Sequence, residues 1–276
     1  MAIEPGSFWK NPDIVERYAS GGNQVQTSRF YQIAPWLAQH PIKQGEIIAD
    51  IGAGTGEIAL LFATVNGSGL NYAVDYSDAM VRVAHAKLSK AKISNLQIWT
   101  SDATQLKLPT AENTVSRMVS FTAIHWFQNL EGFVEGVNKY LSPGGIFFFR
   151  YAGCQGDETL ELAQKISTED KWKQKFEKFT CPMYTHTPEA FRTTLEKVGL
   201  LWEEASIWRN VETFDNEEAY KTYVAGWLPH LYHLEKADRP DFLNAVVKAH
   251  CQRPERNCNG KITVWDTQVK ITGSKA

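Results

Sequence analysis

Hydrophobic and polar residues alternate along the chain in blocks whose length and period distinguish strands from helices. The short apolar runs EIIADIG, LNYAVDY and NLQIWTSD have the length of buried strands. Between them, EIALLFATV and SDAMVRVAHAKLSKA carry apolar residues at the three- and four-residue spacing of a helix that buries one face. This βαβαβ alternation predicts a parallel sheet with helices on both faces.

The segments that follow extend the predicted sheet and then change character. VSRMVSFTAI predicts a fourth strand, the helix LEGFVEGVNKYL follows it, and a Ser-Pro-Gly-Gly turn leads into a fifth strand, IFFFRYA. Further along, helices are predicted near residues 157–178, 188–198 and 216–250, with strands in LLWEEASIWRNVETF and KITVWDTQVKITGS. The first 40 residues are predicted to be helical, with breaks at Gly21-Gly22, Pro35 and Pro41.

The predicted fold class is α/β: a doubly wound, Rossmann-like sheet of seven strands, mostly parallel with an antiparallel edge strand, plus helical cap insertions. One domain is expected over residues 1–276. We divide it into a helical lead-in (1–40), a ligand-binding core (41–152), a helical cap (153–199 and 212–259) and closing strands (200–211 and 260–276). Ligands of such sheets bind at the carboxyl ends of the strands.

Composition narrows the classes of partner. A formal charge of −2 with 22% charged residues gives no broad basic face, so nucleic acid is not an expected partner. The four cysteines show no CxxC spacing, and no apolar run is long enough to cross a bilayer, so we expect a cytoplasmic protein without membrane contact. Many tryptophans and tyrosines fit an aromatic pocket for a small molecule. The oligomeric state is not predicted.

Three alternating glycines follow the first strand, and acidic residues follow the next two. Glycine at these positions lets a ligand approach the backbone. Reading from Gly52, Glu57 stands where the dinucleotide fingerprint GxGxxG requires its third glycine, which disfavours a nicotinamide cofactor. Asp75 ends the second strand, where a carboxylate can accept both hydroxyls of a ribose, and Asp102 ends the third. With no phosphate-binding lysine, this set favours a cationic or neutral nucleoside.

The segments ADIGAGTGE, AVDYS, SDATQL, MVSFTAIHWF and YLSPGGIFFF together resemble the class I S-adenosylmethionine-dependent methyltransferases over roughly residues 47–150. The resemblance implies S-adenosylmethionine as cofactor. It places the methionine amino group near Asp50 and Gly52, the ribose hydroxyls at Asp75 and the adenine at Asp102. The cofactor-binding residues it implies are Asp50, Gly52, Gly54, Gly56, Asp75, Tyr76, Asp102, Ala103 and Phe121. Purely structural roles stay open for three residues: Gly56 could serve only helix packing, and Asp102 or Asp78 could only cap a helix.

The methyl acceptor is suggested by a narrower resemblance. The Asn/Asp-Pro-Pro-aromatic motif of nucleic-acid amine methylases is absent, since the chain has Phe121-Thr122-Ala123-Ile124 after the fourth strand. AIHWF, TPEAFRTTLEKVGL and VAGWLPHLYHL instead resemble the trans-aconitate and juvenile hormone acid methyltransferase group, which implies a small-molecule carboxylate. RYASGGNQVQTSRF resembles the N-terminal substrate segment of the second group, which implies that Tyr18 and Gln26 face the acceptor.

Carboxyl methylation needs alignment more than acid–base chemistry, because a carboxylate is already ionised near neutral pH. The Trp126 indole N–H or the Gln26 amide could orient its oxygen, and Trp126 is the first choice. His125 has two possible roles: a general base for a phenol, hydroxyl or amine, or a structural residue. Both residues reach one pocket only if the fourth strand has ended before them.

Several further residues have more than one possible role. Arg150 could bind a second carboxylate or pair with an acid. Trp227 and Tyr232 could line the acceptor pocket or pack the cap. His230 and His233 lack a third ligand at an expected offset, and Pro229 looks like a helix start, so no metal is predicted.

The sequence thus predicts an S-adenosylmethionine-dependent enzyme that methylates a carboxylate of a small molecule to its methyl ester. One alternative keeps the cofactor but methylates a phenol, hydroxyl or amine with His125 as base. A second is a non-catalytic regulatory protein that binds the cofactor. A nicotinamide-dependent oxidoreductase is a third, disfavoured by Glu57.

Overall fold

The structure is a computed structural model and describes residues 5–19, 33–153 and 155–276. Within these ranges eight strands form one sheet, in the spatial order β3-β2-β1-β4-β5-β8-β6 with β7 paired to β8. The strands are β1 (Ile47–Ile51), β2 (Leu70–Asp75), β3 (Leu96–Thr100), β4 (Val115–Phe121), β5 (Leu141–Ala152), β6 (Leu200–Phe214), β7 (Asn257–Cys258) and β8 (Lys261–Lys275).

The predicted fold class is confirmed, with one refinement at the edge. β1 to β5 are parallel, and β8 pairs antiparallel with both β5 and β6. The antiparallel strand therefore lies one position inside the edge, and β6 is the outermost strand. The two-residue β7 was not predicted; it pairs antiparallel with β8 across a tight turn.

The helices surround this sheet, and polar caps start several of them. Side-chain oxygens of Ser77, Asn129 and Thr187 accept backbone N–H groups of the first helical turn. The α-helices are α1 (Pro12–Arg17), α2 (Ala34–Gln39), α3 (Glu57–Asn66), α4 (Asp78–Ala91), α5 (Leu130–Tyr140), α6 (Glu158–Ser167), α7 (Lys173–Phe176), α8 (Pro188–Lys197), α9 (Glu217–Trp227), α10 (Pro229–His233) and α11 (Arg239–Cys251). No helix in the described ranges has the length and apolar character needed to cross a membrane.

Prolines account for two differences from the predicted helices. Pro35 was predicted as a break, but it lies in the first turn of α2, where its missing N–H costs nothing. The stretch predicted near residues 216–250 is divided into α9, α10 and α11, and Pro229 starts α10 as predicted. Gly21-Gly22 lie outside the described residues.

One large apolar cluster packs the sheet against its helices, and another packs the cap helices together. The larger one joins sheet residues such as Phe147 and Phe149 to Phe133 of α5. The second lies among the cap helices and includes Phe242 of α11. The helix α8, predicted as part of the cap, instead buries Phe191 in the sheet cluster. The division into lead-in, core and cap otherwise stays a prediction.

The N-terminal segment 5–19 connects the sheet to the cap across the carboxyl ends of the strands. The Ser77 hydroxyl donates to the carbonyl of Trp9, and Val15 packs against Ala79 and Met80 of α4. On the cap side, Asp13 forms an ion pair with Lys236 at 3.0 Å. The segment therefore closes one side of the region where a parallel sheet binds ligands.

Candidate active site

A cavity of about 520 Å³ opens at the carboxyl ends of β1 to β4. It is lined by the turn after β1, the end of β2, residues 101–105 and residues 121–123 and 126–129, with Trp9 and Tyr18 from the N-terminal segment. Four acidic residues contribute to its wall, and none of the described lining residues is Lys, Arg or His. The wall thus combines carboxylates at the strand ends with large aromatic rings.

The glycine turn forms the floor of the cavity for two different steric reasons. Gly52 has φ +76°, and a Cβ on it would stand 2.3 Å from the Cβ of Ala123. Gly54 has φ +56° with open space around it, and it lines the cavity directly. Gly56 is not part of the lining; a Cβ there would lie 3.0 Å from Ala84 of α4. Gly56 therefore has the packing role that the sequence left open.

Backbone N–H groups from the glycine turn and from the start of α4 bind the Asp75 carboxylate. Its Oδ2 accepts the Gly54 N–H at 2.8 Å and its Oδ1 accepts the Ser77 N–H at 2.9 Å. Burial raises the pKa of this carboxyl group, and the backbone N–H donors partly oppose that rise. Each carboxylate oxygen can accept further hydrogen bonds, so the group can still bind a pair of hydroxyls.

Asp50 is a buried acid in the cavity wall with one oxygen that lacks a hydrogen-bond partner among the described residues. Its side chain is 3% exposed, and the oxygen without a partner is Oδ2. Burial, followed by the charges of Asp75 and Glu57, raises the pKa of Asp50 to about 8. A buried carboxylate without a partner is costly, and a cationic group of a ligand would relieve that cost.

The other predicted cofactor residues also lie in the lining. The Asp102 Oδ1 accepts the backbone N–H and the hydroxyl of Thr104, both at 2.8 Å, and so caps the 3₁₀ turn Ala103–Gln105. Asp102 and Ala103 nonetheless face the cavity, so capping and ligand contact are compatible. Tyr76 and Phe121 line it as well. The cap of α4 is Ser77 and not Asp78.

An aromatic wall faces these acids. Trp126 stacks on Phe8 at 5.1 Å between ring centroids and meets the edge of Trp9 at 5.3 Å. Trp9 in turn contacts Tyr18 edge-on at 5.2 Å. Tyr232 packs edge-on against the far side of this group, 5.0 Å from Phe8. The predicted residues Tyr18 and Trp126 thus line the cavity.

Two predicted substrate residues from the cap lie behind the wall, outside the lining. The Tyr232 hydroxyl donates to the Ala225 carbonyl at 2.7 Å. Trp227 packs in the cap cluster, where its buried indole N–H has no partner among the described residues. The remaining predicted substrate residue, Gln26, lies outside the described residues.

His125 and Arg150 do not belong to the described lining. The fourth strand ends at Phe121, and His125 and Trp126 belong to the 3₁₀ turn Ile124–Trp126, so strand alternation no longer governs where they point. His125 is 3% exposed, and its Nδ1 accepts the Ala152 N–H at 3.3 Å. Arg150 is buried and donates to the Thr122 hydroxyl at 3.4 Å.

Sequence reasoning missed several lining residues. Trp9 and Met80 come from segments without a motif, although the aromatic pair Phe8-Trp9 near the start was a usable signal. Thr122 has φ +56°, a backbone conformation that is strained for a residue other than glycine and often marks functional sites. His230 and His233 bond separately to Gln164 and to the Lys175 carbonyl. No cluster of three possible metal ligands occurs within the described ranges.

Comparison with known proteins agrees with this geometry. Residues 49–149, which hold the glycine turn, Asp75 and Asp102, match the family described as methyltransferase domain. Juvenile hormone acid O-methyltransferase of Drosophila melanogaster is 25% identical over 225 residues, 77% of this chain and 74% of that protein. The chain is an S-adenosylmethionine-dependent methyltransferase. The predicted family, enzyme class and cofactor are thereby confirmed.

Other relatives of this methyltransferase have similar names. Malonyl-[acyl-carrier protein] O-methyltransferase of Priestia megaterium is 23% identical over 83% of this chain and 78% of that protein. Trans-aconitate 2-methyltransferase of Variovorax paradoxus is 22% identical over 59% of this chain and 58% of that protein. Among solved structures, the YcgJ protein of Bacillus subtilis has a TM-score of 0.59 at 17% identity, covering 89% of this chain and 98% of that one. This likeness concerns the fold alone.

The residues of the cavity fit S-adenosylmethionine, which carries a ribose diol, an ammonium group and a sulfonium group. Asp75 offers carboxylate oxygens at the end of β2, and Gly54 leaves open space beside them. The Asp50 oxygen without a partner fits a cationic group of the ligand. The individual roles of Asp50, Asp75 and Asp102 toward the cofactor remain predictions.

Proposed function

We propose that this methyltransferase methylates a carboxylate of a small, largely apolar organic acid and produces the methyl ester. One observation carries the proposal: besides the acids, the described cavity wall combines the aromatic residues Trp9, Tyr18, Tyr76, Phe121, Trp126 and Phe127 with uncharged polar and aliphatic residues, and contains no histidine, lysine or arginine. A phenol, hydroxyl or amine that must lose a proton before it attacks benefits from a general base. A carboxylate is nucleophilic near neutral pH without one.

The aromatic wall is suited to such an acceptor. When bound, the cofactor supplies an electrophilic methyl group, and the protein must align the acceptor oxygen with it. Trp9, Tyr18 and Trp126 provide apolar surface for the body of the acid. The Trp126 indole N–H is a neutral donor that can orient one carboxylate oxygen and leave its other lone pairs for the attack. An Arg fork would tie up both oxygens, and Arg150 is directed to Thr122 instead.

The acidic residues of the cavity do not oppose this assignment. Asp50, Asp75 and Asp102 lie at or just beyond the carboxyl ends of β1, β2 and β3, within the matched methyltransferase domain. A cationic cofactor on that side offsets their charge, so the acceptor meets the aromatic side. The relatives named for juvenile hormone acid, malonyl-[acyl-carrier protein] and trans-aconitate give independent support for a carboxylate.

The test is transfer of an isotopically labelled methyl group to matched acceptors. Each apolar acid is offered beside its alcohol, its amine and a phenol of similar size, with Asp75→Ala as the control that lacks the proposed ribose ligand. We expect label in the acid alone, released as methanol by mild alkali because the product is an ester. Label confined to phenols or amines would replace the proposal with the base-dependent reaction. Tight cofactor binding without transfer to any acceptor would favour the regulatory binding protein.

A further inference from the structure

The turn that presents Trp126 to the cavity is held by hydrogen bonds on both sides. Within the turn, the Trp126 N–H donates to the Ala123 carbonyl at 2.8 Å and the Phe127 N–H to the Ile124 carbonyl at 2.9 Å. These two bonds shape the turn but do not fix it to the rest of the protein. The bonds that do so come from β5 and from residues 184–186.

The first anchor is the His125 side chain. Its Nδ1 accepts the N–H of Ala152, the last residue of β5, at 3.3 Å. Because a backbone N–H can only donate, Nδ1 must carry a lone pair, and the ring proton then sits on Nε2. His125 is nearly fully buried and lies outside the described lining, while its neighbour Trp126 lies in it. The imidazole therefore connects the turn to the sheet.

The second anchor is the segment 184–186, which reaches the turn from the cap side. The Tyr184 N–H donates to the His125 carbonyl at 2.7 Å. His186 Nε2 bonds to the Phe127 carbonyl at 2.8 Å, and since a carbonyl only accepts, this nitrogen must carry the proton. The carbonyls on either side of Trp126 are thus both bonded to the same short segment. Tyr151 of β5 steadies that segment by donating its hydroxyl to the His186 carbonyl at 2.9 Å.

We infer that His125 and His186 are positioning residues that fix the Trp126 indole in the acceptor half of the cavity, His125 through Nδ1 and His186 through Nε2. Neither imidazole acts as a general base. The inference rests on the proposed function only in taking Trp126 as the residue that orients the acceptor. Its structural part, that two ring nitrogens hold the turn, is independent of the acceptor.

Asparagine and glutamine variants separate the two anchors, because an Asn side chain places a polar atom near the position of His Nδ1 and a Gln side chain near that of Nε2. At position 125 we expect H125N to keep an acceptor for the Ala152 N–H, whereas H125Q and H125A lose it. At position 186 the order reverses: H186Q keeps a donor to the Phe127 carbonyl, whereas H186N and H186A lose it. The exposed His85 supplies the matched control H85N.

Two readouts are needed, of which one does not require turnover. Amide hydrogen exchange is followed at Ala152 and across residues 123–127 of the folded, cofactor-bound protein. We expect amide exchange across residues 123–127 to be about tenfold faster in H125A, H125Q, H186N and H186A, and exchange at Ala152 to be about tenfold faster in H125A and H125Q. Exchange should be little changed in H125N, H186Q and H85N. Turnover of the best acid should fall in parallel, mainly through a higher KM, while the affinity for the cofactor stays within about threefold.

The outcomes distinguish a positioning role from a catalytic one. An H125N protein that keeps Ala152 protection but is as inactive as H125A would overturn the inference in favour of a base. Unchanged exchange in both alanine variants would also overturn it, because the anchors would then hold nothing. If no acid is methylated by the unaltered protein, the proposed function fails, yet the exchange experiment still decides whether the two histidines fix the turn. Should H125A fail to fold, the H186Q and H186N pair carries the same test.

Discussion

Adding one methyl group at Gly52 should destabilise the protein for two separable reasons. The residue has φ +76°, and adopting this left-handed region costs a residue with a Cβ about 1–2 kcal/mol. The new Cβ would also stand 2.3 Å from the Ala123 Cβ, whereas ordinary contact begins near 3.4 Å. Either the glycine turn or the Ala123 backbone must therefore move by about 1 Å, and such overpacking adds about 1–3 kcal/mol. We expect Gly52→Ala to lose about 2–5 kcal/mol of unfolding free energy.

Two other glycines provide matched controls. Gly45 has φ +81° with nothing within 4 Å of an added Cβ, so Gly45→Ala should show the conformational cost alone. Gly54 has φ +56° and equally open surroundings, but it lines the cavity. Gly54→Ala should therefore resemble Gly45→Ala in stability and differ from it in cofactor affinity, because its Cβ occupies space that the ligand needs.

Urea unfolding without ligand measures these differences, and calorimetric titration with S-adenosylhomocysteine measures the affinities. The reasoning predicts that Gly52→Ala unfolds at a clearly lower urea concentration than Gly45→Ala with an unchanged m-value. Equal unfolding free energies for these two variants, within about 0.5 kcal/mol, would refute the steric contribution of Ala123. A Gly54→Ala protein that binds S-adenosylhomocysteine normally would show that the ligand does not approach the backbone there.

Three further predictions concern charge and orientation. Asp50 has a pKa of about 8, and a cationic ligand favours its ionised form, so cofactor binding should release a proton. Cofactor affinity should therefore fall toward acid pH, by up to about tenfold per pH unit, and Asp50→Asn should remove this dependence. Calorimetric titration in buffers of different ionisation enthalpy measures the released proton. Burial lowers the pKa of His230 to about 3, so the unfolded chain binds the extra proton below about pH 6.5. His230 should therefore lower the unfolding free energy as the pH falls from 6.5 toward 3, by up to about 1.4 kcal/mol per pH unit. His230→Phe should remove this contribution, and an unaltered slope in that variant would contradict the assignment. Trp126→Phe keeps the ring stack on Phe8 but loses the indole N–H. The KM for the acid should therefore rise about ten- to hundredfold while the affinity for the cofactor stays unchanged. An unchanged KM would exclude the indole as the orienting donor.

The parallel sheet was predictable because its signals are local. Strand and helix periods differ, and α3, α4 and α5 separate the strands from β1 to β5 except between β3 and β4, where only a 3₁₀ turn lies. The predicted strand LLWEEASIWRNVETF coincides with β6, Leu200–Phe214, although the domain division ended that closing strand at residue 211. What it did not indicate is where β8 enters the sheet. The pairing of β8 between β5 and β6 joins residues far apart in sequence, which periodicity along one segment does not encode.

The cofactor half of the site was equally accessible from sequence. In a parallel sheet, residues that end successive strands meet at one edge, so Asp50, Asp75 and Asp102 could be grouped from their positions along the chain alone. All three line the cavity. Gly56 was included by its motif position, and the structure gives it a packing role because α4 passes beside it.

The acceptor half depended on contacts that no short segment contains. Whether His125 or Trp126 faces the cavity is decided by the 3₁₀ turn after β4 and by the bonds that residues 184–186 make to it. Trp9 reaches the cavity only because the N-terminal segment crosses α4.

The parallel sheet, the glycine turn and the acids at the strand ends follow from local sequence, because backbone periodicity and glycine conformation are properties of neighbouring residues. Contacts between distant segments select which aromatic rings form the acceptor wall and which histidines lie behind it. The physical reason is that the direction of a side chain beyond the end of a strand is set by hydrogen bonds and packing with distant segments.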